Sequence, residues 1–186
     1  MTTSPLRAGT ARTTGQGGFT LIELLIVVAM ICVLATIAFP LMLRARMTSN
    51  EGVAVASLRT IHSAEAAYAS GCGSGGYAQT LEDLSKIPPG STVAFIYEPY
   101  TVNGVVQNGY TASVMAGNSA STVLPSNQTC NASADDAVTT FVAERHAVRI
   151  GDTGVRSFAV DTQGTMYMRQ DGVTIDKTLA GTLTFR

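Results

Sequence analysis

The stretch FTLIELLIVVAMICVLATIAFPLML, residues 19–43, is apolar throughout except for one charged side chain, Glu23, near its start. A helix of this length spans roughly 37 Å at about 1.5 Å per residue. The hydrocarbon core of a bilayer is about 30 Å thick, so a helix here is long enough to cross it. Arg44 and Arg46 follow directly and would lie at the membrane interface.

The composition favours one modest domain with an added apolar element. The chain has 186 residues, of which 46% are hydrophobic and 13% are charged. The charged share is about half of that in an average soluble protein. The formal net charge is −1, and phosphate binding needs clustered lysine and arginine. Nucleic acid is therefore not expected as a primary partner.

The cysteines and histidines show no spacing that is typical of metal sites or catalysis. Cys32, Cys72 and Cys130 lie far apart, and His62 and His146 stand alone. The sequence contains no CxxC pair, no phosphate-binding loop and no obvious Ser/His/Asp set. We therefore expect no metal site, no cofactor and no enzymatic activity. The alternative from another class is a membrane-tethered enzyme or binding protein on the outer face.

The segment before the apolar stretch, residues 1–18, is polar and ends in two glycines. A secretory signal peptide has its cleavage site after the apolar core, so the order here is reversed. Cleavage after Gly18 would keep the apolar helix in the mature chain. It would also create a new α-amino group at Phe19, about one helical turn from Glu23.

A carboxylate within hydrocarbon costs about 2.5–3.5 kcal/mol on insertion scales, so Glu23 suggests a functional role. A free amine with a pKa near 8 would be cationic and could neutralise the carboxylate. The amine could belong to the same chain or to a neighbouring copy, and in the second case the pair would set the register between subunits. Alternatively, Glu23 lies near the interface and extends its carboxylate to water.

The run GFTLIELLIVVAMICVLATIAFP, residues 18–40, resembles the amino-terminal signature of type IV pilins and pseudopilins. In that family, a prepilin peptidase cleaves between the glycine and the aromatic residue and N-methylates the new terminus. The resemblance implies that Gly18 precedes the cleaved bond, that Phe19 is methylated and that Glu23 serves subunit docking and methylation. It extends over roughly residues 17–70, and the rest of the chain resembles pilin heads only in layout.

Pro40 lies near the far end of the apolar run. Inside a helix, proline removes one backbone hydrogen bond and clashes with the preceding turn. One interpretation is an ordinary kink whose freed groups are satisfied by neighbouring helices. The other, implied by the resemblance, is a weak point at which the helix bends or partly unwinds within a filament.

After Arg46 the apolar positions recur at three- and four-residue spacing, which predicts an amphipathic continuation of the helix to about Ser70 and Gly71. The predicted segments are a cleaved leader at 1–18, an apolar transmembrane or filament-core helix at 19–43, its amphipathic continuation at 44–71 and a head domain at 72–186.

The head has the alternation and turn residues of β-structure. Strands are expected within 91–102 and 109–117, a hairpin within 155–169, and a strand with a helical end within 137–144. A polar loop at 117–136 is expected to be exposed. The sequence predicts an α+β fold, similar to that of type IV pilins, in which an antiparallel sheet packs on the second half of the helix.

Cys72 and Cys130 would both face the oxidising side of the membrane, where disulfides persist. Their pairing would close a loop of about 58 residues, which corresponds to roughly 4 kcal/mol in the chain-entropy treatment. The alternatives are two free thiols or pairing between chains. Cys32 is expected to be a small apolar residue of the helix.

Together these features predict the precursor of a type IV pilus subunit, with a pseudopilin of a type II secretion system as the alternative. The expected partners are further copies in a helical homopolymer, prepilin peptidase, the inner-membrane assembly platform and, before assembly, membrane lipid. The expected location is the bacterial inner membrane, crossed once with a periplasmic head, and then an extracellular pilus.

Overall fold

The computed structural model describes residues 18–185, and one helix accounts for more than a quarter of them. Helix α1 is a 51-residue helix, Leu21–Gly71, with Pro40 inside it. The prediction of one long helix from about residue 19 to about residue 70 is thereby confirmed. Most of the predicted leader, residues 1–17, lies outside the described residues. The chain divides into two compact units, with the boundary between Leu41 and Met42.

The first unit consists of the apolar part of helix α1. Every described residue from Gly18 to Leu41 is exposed. The helix contains an 18-residue window of mean hydropathy 2.9, none of which is buried within the chain. By length and composition, this helix meets the requirements for crossing a membrane.

In the second unit, one face of helix α1 is buried against the head. The apolar stripe that the sequence predicted is completely or almost completely buried: Ala54, Leu58, Ile61, Ala64 and Tyr68. These positions recur at three- and four-residue spacing, which places them on one side of a 3.6-residue helix. The predicted amphipathic continuation is therefore confirmed.

The helix ends at glycines, as expected. The Tyr68 carbonyl accepts hydrogen bonds from the N–H groups of both Cys72, at 2.8 Å, and Gly73, at 2.9 Å. This satisfies a carbonyl that the last helical turn would otherwise leave unpaired.

After a short helix α2, Leu81–Ser85, the head is built of antiparallel strands. Strands β1, β2, β5, β6, β7 and β8 form one six-stranded sheet in that order, and β3 pairs with β4 in a separate two-stranded sheet. The α+β fold expected from the sequence is confirmed. The strands are β1 Val105–Gln107, β2 Tyr110–Ala116, β3 Thr122–Leu124, β4 Ala137–Val138, β5 Phe141–Ala147, β6 Ser157–Asp161, β7 Met166–Arg169 and β8 Leu183–Phe185.

Two hairpins form in the large sheet, β1–β2 and β6–β7, and the second is the one that was predicted within residues 155–169. The β1–β2 turn has Asn108 at φ 50° and Gly109 at φ 72°, a conformation that asparagine and glycine tolerate best. The β6–β7 turn ends on Gly164 at φ 77°. Both turns connect strands that pair antiparallel in the large sheet.

The strand predicted within residues 91–102 is absent, and this prediction was wrong. The N–H groups of Phe95 and Ile96 both bond to the Leu84 carbonyl, at 3.1 and 3.3 Å, rather than to a neighbouring strand. Ile96 is buried, and the Phe95 ring meets the Tyr68 ring edge to face with centroids 5.4 Å apart. The apolar residues that suggested a strand instead anchor an irregular segment on helix α1.

Residues 137–144 also differ from the prediction. They contain strand β4 and the first part of β5, and no helical end. The apolar side chains of β5 alternate between the two faces of the large sheet, and both faces are buried: Phe141 and Ala143 belong to the main core and Val142 to a second cluster. Burial on both sides hides the period-2 pattern that normally identifies a strand.

The polar loop predicted at 117–136 is more ordered than expected. It contains β3 and a 3-10 helix, Ser126–Gln128. Thr129, Asn131 and Ser133 are buried in it. Most buried polar groups in proteins are hydrogen-bonded. Here Asn131 bonds to helix α2 and Ser133 to helix α1, whereas Thr129 bonds within the loop, to the Ser126 carbonyl and the Ser133 N–H.

Candidate functional site: the amino end of helix α1

The residues around the predicted cleavage point precede the helix. Gly18, Phe19 and Thr20 are exposed and non-helical, and helix α1 begins at Leu21. A side chain placed at Gly18 would meet no atom within 4 Å. Gly18 and Phe19 are thus both exposed in the described part of the chain.

Thr20 caps the helix. Its hydroxyl oxygen accepts a hydrogen bond from the Glu23 N–H at 3.2 Å, and its carbonyl accepts one from the Leu24 N–H at 3.2 Å. Sequence reasoning missed this residue, although TLIE, residues 20–23, matches the pattern of a capping box, in which Thr or Ser is followed three positions later by Glu. The signal was present in the sequence.

The cap gives Glu23 a local role in addition to the predicted one. It is the third residue of the helix, and a carboxylate in the first turn is stabilised by the helix dipole by about 0.3–1 kcal/mol. Within residues 18–185 it forms no ion pair. The carboxylate is exposed and remains available to a cation from outside the described chain.

The surface surrounding Glu23 is apolar. Leu21, Ile22, Leu24 and Leu25 are between 58% and 81% exposed. Each such side chain gains about 1.5–3 kcal/mol when it is moved from water to an apolar environment. This surface requires lipid or other apolar helices around it.

Of the residues singled out in the sequence, the structure brings together the two cysteines. Cys72 and Cys130 form a disulfide, with Cα atoms 4.8 Å apart, in agreement with the expected pairing. Gly18, Phe19, Glu23 and Pro40 lie along the first unit, and the roles predicted for them stay predictions. Cys32 is a free, exposed cysteine of the apolar helix.

The disulfide belongs to a buried polar network that fixes the end of helix α1. The Asn131 amide donates to the Asp83 carbonyl at 2.7 Å, and the Ser133 hydroxyl lies 2.8 Å from the Tyr68 hydroxyl. The Asp83 carboxylate accepts from the Ala134 N–H at 2.6 Å. These bonds connect helix α1, helix α2 and the loop that carries Cys130.

Glu65 is a buried acid of helix α1 that lies three positions before Tyr68. Its side chain is completely buried, and one carboxyl oxygen accepts a hydrogen bond from the Ala78 N–H at 2.9 Å. The other oxygen has no partner among the described residues. Burial raises the pKa of the Glu65 carboxyl well above its usual value, and the nearby Asp83 carboxylate adds to the shift.

No group of three His, Cys, Asp or Glu side chains in the described part of the chain is arranged to hold a metal ion. The features assembled at the amino end are therefore an open glycine–aromatic bond, a capped helix, an acid in its first turn and a long uncovered apolar surface.

Residues 13–39 match the family model of the prokaryotic N-terminal methylation motif, which is the signature of type IV pilins and pseudopilins. Neither the curated proteins nor the solved structures contain a match to the chain. The motif and the long apolar helix support a pilin-like or pseudopilin-like precursor, anchored in the inner membrane. Proteins with this motif are structural subunits that polymerise and are processed by prepilin peptidase.

Proposed function

From this motif, we propose that the chain is the precursor of a type IV pilus subunit, cleaved between Gly18 and Phe19 and polymerised through the apolar part of helix α1. The observation that carries the proposal is a combination of two features: a methylation motif at residues 13–39, and an apolar helix whose most hydrophobic window is not buried by the rest of the described chain.

The driving force is the exchange of lipid for other helices. Most of the exposed side chains between Phe19 and Leu43 are large and apolar. Parallel copies of this helix bury these side chains against each other in a filament core. The same helix remains in the inner membrane before assembly, with the head on the periplasmic side and the assembly platform at its base.

Assembly also requires a cation that neutralises Glu23, and in this proposal cleavage supplies it. A free amine at Phe19 is cationic near neutral pH, since an α-amino group has a pKa of about 8. In the proposed filament, the Glu23 carboxylate of one copy neutralises the Phe19 amine of an adjacent copy, away from water. Methylation at Phe19 retains the positive charge, because a methylated amine still binds a proton.

The test is mass spectrometry of material sheared from the surface of cells that express the full chain with a prepilin peptidase and an assembly platform. We expect an abundant species that begins at Phe19 and carries one methyl group. Shed protein that begins at Met1 would contradict the proposal.

A variant separates processing from assembly. Glu23→Ala should be cleaved to a large extent and yet give few filaments. Cys32→Ala, a second change in the same apolar helix that removes no charge, should behave like the unchanged chain. Abundant normal filaments from Glu23→Ala would refute the role of this carboxylate.

The alternative is a pseudopilin, because the same motif is the signature of both classes. A type II secretion pseudopilus remains short and periplasmic. Expression at normal level beside a secretin system, with cleavage at Gly18 but no surface filaments, would favour this second function.

A further inference from the structure

The head unit is connected to the apolar run at one defined end. It begins at Met42, and the apolar run ends at the next residue, Leu43. Arg44 and Arg46 follow; both are exposed, and neither forms an ion pair with any of the residues 18–185. In a precursor anchored by the apolar run, the connection of the chain alone therefore places the Met42 end of the head nearest to the lipid.

One loop of the head is fixed close to this end. The loop 148–156 joins strand β5 to strand β6. The Asn50 side-chain amide donates to the Thr153 carbonyl of this loop at 2.9 Å. Asn50 is seven helical residues from Leu43, which is about 10 Å along the helix axis. The headgroup layer on each side of a bilayer is roughly 5–8 Å thick, so the loop is attached to the helix near the outer edge of that layer.

The tip of the loop extends from there toward the membrane. Strand β5 starts beside His62, whose ring centroid lies 6.0 Å from that of Phe141, and it ends at Ala147. Its six steps of about 3.3 Å cover roughly 20 Å, and the helix from His62 to Asn50 covers about 18 Å. Strand β5 therefore runs along the helix from the level of His62 to that of Asn50. The tip of the loop follows in the same direction.

Exposed apolar side chains are concentrated at this end. Val148, Ile150 and Val155 belong to the loop, Val173 belongs to the connection after β7, and their exposed fractions lie between 43% and 57%. Strand β7 runs in the same direction as β5, because both pair antiparallel with β6. A Cβ built at Gly172 would lie 3.0 Å from the Ile150 side chain and 3.0 Å from the Val155 carbonyl. The four side chains thus form one surface across the two connections, the proximal patch.

The charges at this end favour an anionic surface. Arg149 pairs with Asp152, and Arg169 pairs with Asp171, so these side chains cancel each other's charge. The two arginines that follow the apolar run are left without a counter-ion among the described residues. Cations near a membrane surface attract anionic headgroups, and apolar side chains beside them enter the boundary between headgroups and acyl chains.

We propose that the proximal patch of the anchored subunit lies in the headgroup layer of the membrane, and that Arg44 and Arg46 bind the phosphates of anionic lipids. Lipid is the expected occupant because every anchored copy has it next to the end of the head at which the apolar run leaves. This inference rests on the proposed function only for the anchored precursor before assembly. It adds a second attachment, which holds the head against the bilayer.

Quenching by labelled lipid measures the contact. The full chain carries Ile150→Cys in a Cys32→Ala background, is labelled there with a fluorophore and is reconstituted into vesicles of phosphatidylethanolamine and phosphatidylglycerol that contain a lipid with a nitroxide on its headgroup. We expect the nitroxide lipid to quench this fluorophore strongly. Absence of quenching at position 150 would overturn the proposal.

The matched control is Val93→Cys in the same background. Val93 is 53% exposed and lies two positions from Phe95, whose ring meets that of Tyr68. Tyr68 is 18 helical residues beyond Asn50, which is about 27 Å farther from the membrane end of the head. Quenching at position 150 should be several times that at position 93. Equal quenching at the two positions would show that the head has no preferred contact with the lipid, and would overturn the proposal.

The arginines have a readout of their own. With the fluorophore at Ile150→Cys, Arg44→Gln and Arg46→Gln should each weaken the quenching, by up to about fivefold for each charge. The loss should shrink at high salt, which screens the attraction to anionic lipid. The control is Arg59→Gln, an exposed arginine of helix α1 farther from the apolar run, which should leave the quenching unchanged. An equal loss in Arg59→Gln, or no loss in the other two variants, would overturn the role of these arginines.

A second copy of the chain is the competing occupant of the proximal patch. Reconstitution at increasing ratios of unlabelled chain to lipid separates the two cases. If lipid covers the patch, quenching at position 150 should not depend on this ratio. If quenching falls as unlabelled chain is added, a second copy covers the patch and the proposal is overturned.

The two proposals fail separately. If position 150 shows no contact with lipid while the unchanged chain gives filaments that begin at Phe19, the lipid contact is wrong and the pilin function stands. If the contact with lipid is found and sheared material is absent, the polymer is wrong and the lipid contact stands. If alkaline carbonate extracts the full chain from the vesicles, anchoring itself fails and both are refuted.

Discussion

Glu51 and Arg156, which are 105 positions apart, form an ion pair that joins helix α1 to the beginning of strand β6. The Glu51 carboxylate also accepts hydrogen bonds from the N–H groups of Val155, at 3.1 Å, and Arg156, at 3.2 Å. Glu51 is nearly buried, whereas the Arg156 side chain is 41% exposed. The Glu51 carboxylate thus accepts hydrogen bonds from the backbone just before strand β6 and also pairs with the Arg156 guanidinium.

Removal of this acid should destabilise the head more than removal of a surface pair. We expect Glu51→Ala to lower the free energy of unfolding by about 2–3 kcal/mol, because several donors lose a charged acceptor. The measurement is denaturant unfolding of the full chain in detergent. Asp152→Ala breaks the exposed Arg149–Asp152 pair and should cost less than about 1 kcal/mol. Equal losses in the two variants would contradict this assignment.

The stability of the head should depend on the proton of Glu65. Burial raises the pKa of this carboxyl in the folded state above its ordinary value of 4.5. The folded state therefore binds the proton more tightly than the unfolded state, and stability falls as pH rises from that value toward the folded pKa. Glu65→Gln should flatten this slope when unfolding is measured over the same pH range. A slope that is unchanged in Glu65→Gln would show that other groups cause it.

The disulfide should supply a large part of the stability of the head. Cys72 and Cys130 are separated by 58 positions, and closing a loop of this length corresponds to about 4 kcal/mol in the chain-entropy treatment. We expect the double variant Cys72→Ser/Cys130→Ser to lose about this amount, as measured by thermal unfolding in detergent. Cys32→Ser is the control, since this thiol is free and exposed on the apolar helix. Comparable losses in the control would point to a general effect of the substitution.

Two glycines should respond in opposite directions to a methyl group. A Cβ at Gly154 would collide with the hydroxyl and ring carbons of Tyr110, a buried residue whose hydroxyl donates to the Arg156 carbonyl at 2.9 Å. We expect Gly154→Ala to destabilise by about 1–3 kcal/mol, the usual cost of overpacking.

The matched change is Gly52→Ala, in the exposed face of helix α1, where a Cβ meets no atom within 4 Å. There, alanine should stabilise the free subunit by roughly 0.5–1 kcal/mol, because glycine loses more backbone entropy in a helix. Unfolding of both variants checks the sign. If Gly154→Ala also stabilised the protein, the space around Gly154 would relax more than the packing indicates. If Gly52→Ala destabilised it, the predicted gain in backbone entropy would be contradicted.

The sequence allowed the long helix and the hairpin within residues 155–169 to be predicted for local reasons. A 25-residue apolar run needs no tertiary information to be helical, because its backbone groups must bond within the segment. In the same way, Asn108–Gly109 and Gly164 specify their turns through their own φ angles. The capping role of Thr20 was equally local and could have been read from TLIE.

The irregular segment 91–102 could not be predicted because its apolar residues are explained by a surface that the sequence does not show. The Phe95 ring is half-buried against Tyr68 of helix α1, Ile96 is buried, and the N–H groups of both bond to the Leu84 carbonyl. An apolar pattern indicates burial, but it does not say what covers the residues. The same holds for Asn131 and Ser133, which looked like an exposed polar loop and are buried through bonds to distant elements.

The sequence by itself determined that the chain has one long apolar helix with an acid in its first turn, and that a glycine–aromatic bond precedes it. The tertiary structure alone decided that Glu51 meets Arg156 and that Glu65 is buried without a cation beside it among the described residues. Helix formation and capping depend on neighbours within four positions, which a sequence displays directly. Pairing across 100 positions depends on which faces pack together, and this follows from the fit of the whole core rather than from any one segment.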